Sequence, residues 1–135
     1  MEKRAVLITF NVCSKEFSGN YERNKFFRGL YGWKQMVRKE TKEGKKKYEY
    51  ERKGVLDEVA HKKVDQSSFI VEQPDAQRMF DFFDEWTNKV MWNTFKVLID
   101  ENIFRELENM RGRIEKEMEE ESEEDEDGEE EVDNL

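Results

Sequence analysis

The residues best equipped for chemistry lie between positions 23 and 53. Arg23, Lys25, Arg28, Lys34, Arg38, Lys39, Lys45, Lys46, Lys47, Arg52 and Lys53 are interleaved there with Trp33, Tyr48 and Tyr50. Twelve Lys and Arg against Glu40, Glu43, Glu49 and Glu51 give this stretch a local charge of +8. Cations neutralise phosphates while aromatic faces stack on unpaired bases, so the pattern suits binding of nucleic acid, DNA or RNA, with no cofactor. The plainer alternative is a solvated hairpin whose lysines keep an edge strand from aggregating.

No other group of residues suggests a reaction. Asp57, Glu58, Asp65, Asp81, Asp84 and Glu85 follow no spacing that demands a metal or an acid/base pair, and they read as turns and exposed faces. His61 has no serine or cysteine motif beside it to form a nucleophile pair. The single cysteine, Cys13, rules out an internal disulfide, and with one histidine there is no ligand set for structural zinc. Catalytic residues and metal ligands are therefore not assigned.

The C-terminal end carries the opposite charge. Residues 115–135 hold fourteen acidic side chains against Lys116, so the formal charge of -9 conceals a body of +4 joined to a tail of -13. Such a block can imitate a phosphate backbone. It could fold over its own basic surface and tune binding, attract a basic protein partner, or act only as a solubilising tail. An interaction protein that occupies a nucleic-acid site on a partner enzyme is thus a further reading of the same charges.

The elements that must position these residues follow from apolar spacing. The run Ala5-Val6-Leu7-Ile8-Thr9-Phe10-Asn11-Val12 reads as a buried strand, and Phe26, Phe27, Leu30 and Tyr31 fall at helical spacing ahead of Gly32. Positions 33–41 and 46–56 surround a turn at 41–45 and predict a long charged hairpin. Positions 64–72 read as one further strand. Pro74 opens a helix in which Ala76, Met79, Phe80, Phe83, Trp86 and Val90 share a face. Positions 94–99 read as a last strand, and Asp100 as the cap of a third helix with a seam of Ile103, Leu107, Met110 and Ile114. Past Met118 the apolar pattern stops, and residues 119–134 are expected to be disordered.

This order predicts an α+β, ferredoxin-like βαββαβ fold with an extended hairpin and an added C-terminal helix. One domain spans 1–114, and the acidic tail, the end of the helix followed by a disordered segment, spans 115–135. No run is long and apolar enough for a membrane span, and the N-terminal residues lack a signal-peptide core. The expected location is the cytoplasm, away from membranes.

With Leu7 to Val12, the basic helix ending in Leu30-Tyr31-Gly32-Trp33, and the Gln66-Ser67-Ser68-Phe69 segment, the chain resembles small ferredoxin-like CRISPR adaptation proteins and the related VapD ribonucleases. The resemblance covers about two thirds of the chain and implies a homodimer, to which the seam of the third helix could contribute. It also implies a metal-dependent endoribonuclease site near Asn11, Asp65 and Ser67. The family's aspartate falls on Asn11, however, and an amide lacks the charge that Mg²⁺ prefers. A non-catalytic binding role therefore leads, and the nuclease is the alternative.

Overall fold

The computed structural model describes residues 3–126. Its elements are β1 (Lys3–Val12), a short 3-10 turn (Ser14–Glu16), α1 (Asn20–Tyr31), β2 (Trp33–Thr41), β3 (Gly44–Arg52), α2 (Val55–Glu58), β4 (His61–Asp65), β5 (Ser68–Glu72), α3 (Gln73–Asp84), β6 (Val90–Ile99) and α4 (Glu101–Glu126). The class is α+β. Four strands form one antiparallel sheet in the order β4-β5-β1-β6, and β2 and β3 form a separate two-stranded sheet.

The apolar run of β1 is continuous because both of its faces meet other elements. Val6, Ile8 and Phe10 point into the main core with Phe69, Val71 and Val90, against Phe26 and Leu30 of α1 and Met79 and Phe83 of α3. Ala5 points to the other face, where α4 lies over Ile99 and Ala60 with Leu107 fully buried between them. The sheet is thus covered by α1, α2 and α3 on one side and partly by α4 on the other. The seam of α4, Ile103, Leu107, Met110 and Ile114, is spent on this packing.

Several boundaries differ from expectation for local reasons. Positions 64–72, expected as one strand, belong to a hairpin that starts at His61, β4 and β5, turned at Gln66 and Ser67 with an irregularity between Lys63 and Asp65. The turn contains neither glycine nor proline; the Asp65 carboxylate accepts a hydrogen bond from the Ser67 N–H at 2.8 Å and holds it closed. Strand β3 stops at Arg52, and Val55 and Leu56 turn inward as the buried start of α2. Helix α3 ends at Asp84, so Trp86 reaches the core from the following turn and Val90 opens β6.

Asp100 does cap α4, accepting the Ile103 N–H at 2.9 Å. The helix then runs to Glu126, so residues 119–126 are helical where disorder was expected, and the remainder of that expectation, 127–134, lies outside the described residues. Among the described residues no helix is long and apolar enough to cross a membrane.

The separate hairpin leaves and rejoins the body through two glycines. A Cβ on Gly54 would lie 2.3 Å from the Gly32 nitrogen, and one on Gly32, at φ 82°, would meet the Arg52 carbonyl at 2.7 Å. Only backbones without side chains can cross this closely. The Asp57 carboxylate accepts the Gly54 N–H at 2.8 Å and fixes the crossing.

Candidate nucleic-acid interface

Pairing of β2 with β3 runs from Trp33 opposite Arg52 to Thr41 opposite Gly44, closing on a two-residue turn of Lys42 and Glu43. Gly44 at φ 116° accepts the turn geometry, and the Thr41 hydroxyl donates to its carbonyl at 2.7 Å. Directly opposed residues share a face of a ladder, so this register decides which side chains meet.

One face carries Trp33, Tyr48 and Tyr50 together with Lys39, Lys46 and Arg52. The other carries Lys34, Arg38, Lys45 and Lys47 mixed with Glu40, Glu49 and Glu51. Every carboxylate in the two strands lies on that second face, where Lys34 opposes Glu51 and Lys45 opposes Glu40. The first face has none. The one acidic residue of the turn, Glu43, pairs with Lys46 at 2.8 Å.

Cations sit over the rings of the first face. The Arg52 guanidinium lies 5.4 Å from the centre of Tyr50, the Lys39 ammonium 5.6 Å from Tyr48, and Arg28, reaching from α1, 4.2 Å from Trp33. These separations are those of cation–π contacts. Arg52 Nε also donates to Gln35 Oε1 at 2.7 Å, which orients the guanidinium, and no motif marked Gln35 for that position. Of the remaining residues expected at the interface, Lys25 is exposed on α1, and Arg23 belongs to a different surface.

That surface is an open cleft of about 540 Å³ at the C-terminal end of β1, lined among others by Asn11, Arg23, Tyr31, Lys63, Gln66 and Ser67. The Tyr31 hydroxyl donates to the Gln66 carbonyl at 2.8 Å, tying the β4–β5 turn to α1. Burial, and then the charge of Asp65, push its phenol above the ordinary value. Asn11 and Ser67 do come together here, yet the lining offers two cations and no carboxylate. These residues do not fit a divalent ion. Among the described residues no group of three or more His, Cys, Asp or Glu side chains could hold a metal.

A third cluster joins α4 to the body. Arg111 reaches Asp75 at 2.6 Å, Glu108 at 3.2 Å and Glu72 at 3.5 Å. Glu72 is buried at the end of β5, and burial followed by a hydrogen bond with Glu108 raises its carboxyl to about 7. Further along α4, Glu117 lies 3.9 Å from Lys53, so the acidic part of the helix starts at the hairpin stem.

No family model, curated protein or solved structure matches this chain. The geometry alone carries the functional reading.

Proposed function

We propose that this protein is a small, non-catalytic nucleic-acid-binding domain whose basic hairpin is the contact surface and whose acidic C-terminal segment competes for that surface. The observation that carries the reading is the hairpin's independence from the fold. Its strands pair only with each other among the described strands, and none of their residues belongs to either core cluster. Twenty residues of charged and aromatic chain therefore have no role in burying the core, and their composition is that of a phosphate- and base-binding surface.

The order β4-β5-β1-β6 supports the ferredoxin-like reading, with β1-α1-β4-β5-α3-β6 as the βαββαβ unit and the β2–β3 hairpin and α2 as an insertion after α1. A homodimer is supported by the part of the sheet that α4 leaves bare. Phe95 is 52% and Met91 62% exposed there, beside the outer edge of β6. The meeting of Asn11 and Ser67 at one cleft favours the endoribonuclease as second reading, and the lack of a carboxylate in the lining weighs against it. Competition by the tail is supported by the Lys53–Glu117 pair.

Fluorescence anisotropy with labelled DNA and RNA, comparing the full chain with a version ending at Lys116, tests the proposal. Binding that weakens steeply with salt and tightens on truncation is expected. No binding by either chain would overturn it and direct attention to protein partners of the tail.

A further inference from the structure

We infer that the ligand of the hairpin is a single strand, held by its unpaired bases on the aromatic face of β2 and β3. The inference rests on the nucleic-acid reading above and specifies its substrate. It starts from the sorting of charge by the register. A surface that read only the phosphates of a duplex would gain from every available cation, yet Lys34 and Lys45 stand opposite Glu51 and Glu40 on one face. The face left without carboxylates is the one with Trp33, Tyr48 and Tyr50. Charge and rings are therefore offered together on one side of a two-stranded ribbon.

The spacing of the rings selects the form of the ligand. Tyr48 and Tyr50 stand two residues apart on one strand, which separates their side chains by about 6.6 Å along β3. That is about twice the 3.4 Å step between bases along a strand of duplex DNA. A duplex would in any case keep its base faces inside its own stack, whereas an extended single strand presents them at wider intervals. Each ring also has a cation over one of its faces: Arg28 over Trp33, Arg52 over Tyr50 and Lys39 over Tyr48. The repeating unit is one ring and one cation, matching one base and one phosphate of a single nucleotide. The protein thus presents three nucleotide-sized positions at successive levels of the ribbon, and because every base has a stacking face, recognition by the rings is tolerant of sequence.

The test is a titration of single-stranded DNA, single-stranded RNA and the corresponding duplexes with the full chain at low salt, repeated with Tyr48→Leu/Tyr50→Leu. Both tyrosines lie outside the core clusters, so the variant keeps the body folded, as a thermal melt verifies. Binding of single-stranded DNA or RNA at least about tenfold tighter than duplex, with that preference largely lost in the variant, is the expected result, since stacking on one ring is worth roughly fivefold to a hundredfold. Tighter binding of one of the two strands names the source. Equal affinity for single strand and duplex, or a variant with unchanged preference, overturns the inference while the basic-hairpin reading stands. Absence of binding to all four ligands overturns both.

Discussion

Replacing Glu72 by glutamine is expected to remove a loss of stability that the native chain undergoes as pH rises toward neutrality. Glu72 is 8% exposed, and Asp75, Glu108 and Arg111 surround it. Three carboxylates thus share one guanidinium. Burial, then the hydrogen bond with Glu108, lift the Glu72 carboxyl from 4.5 to about 7. Between those values the folded chain keeps a proton that the unfolded chain has released, so stability falls as pH rises through this window and is fully present only below about 4.5. The displacement corresponds to roughly 3 kcal/mol, and screening at the exposed Glu108 side of the cluster reduces the expected effect to about 1–2 kcal/mol.

Glutamine is neutral at every pH and can still donate to Glu108. Urea denaturation of the two chains from about pH 5 to about pH 8 isolates the effect of this one group as a difference. The curves should approach each other at the acidic end, and the Glu72→Gln chain should be the more stable by about 1–2 kcal/mol at the alkaline end. Parallel curves, or a variant that is weaker at alkaline pH, would refute the assignment of a shared proton to Glu72 and Glu108.

Other substitutions probe the scaffold and the interface. Gly54→Ala forces a Cβ onto the Gly32 backbone and is expected to cost about 1–3 kcal/mol, read as a lower urea midpoint. Leu107→Ala empties the buried contact of α4 with the sheet and should cost roughly 2–5 kcal/mol in the same assay. Replacing Lys39, Lys46 and Arg52 together by alanine should lower the slope of log affinity against log salt by about 2 for a single strand, measured by anisotropy. An unchanged slope would mean that these cations do not meet phosphates.

The sequence was most legible where apolar spacing is regular. The run of β1, the α1 stripe of Phe26 and Leu30, and the α3 face of Ala76, Met79 and Phe83 are all buried in the main core. It was least legible where a turn lacks the usual residues. Gln66 and Ser67 turn the chain through an aspartate side chain, so β4 and β5 read as one strand. Val55 and Leu56 follow the hairpin so closely that they resembled its continuation. The extent of α4 was hidden because like charges four residues apart oppose a helix, and the acidic residues after Met118 nonetheless stay helical to Glu126.

The candidate interface was legible in its residues and illegible in its arrangement. The basic and aromatic side chains stand out in composition, but their division into two faces depends on register, and a slip of one residue would exchange the faces of one strand. The turn at Lys42 and Glu43 settles that register. Glu72, Asp75, Glu108 and Arg111 left no signal at all, since they meet only when α4 folds back over the sheet.

Removing the hairpin tests whether it is the contact surface for nucleic acid. Residues 34–51 replaced by a two-residue Asn-Gly turn would leave both cores intact, because none of the deleted residues belongs to them. With folding verified by circular dichroism, the shortened chain is expected to lose binding to labelled single strands at low salt. Retention of the full chain's affinity by the shortened chain would mean that nucleic acid is not held by the hairpin.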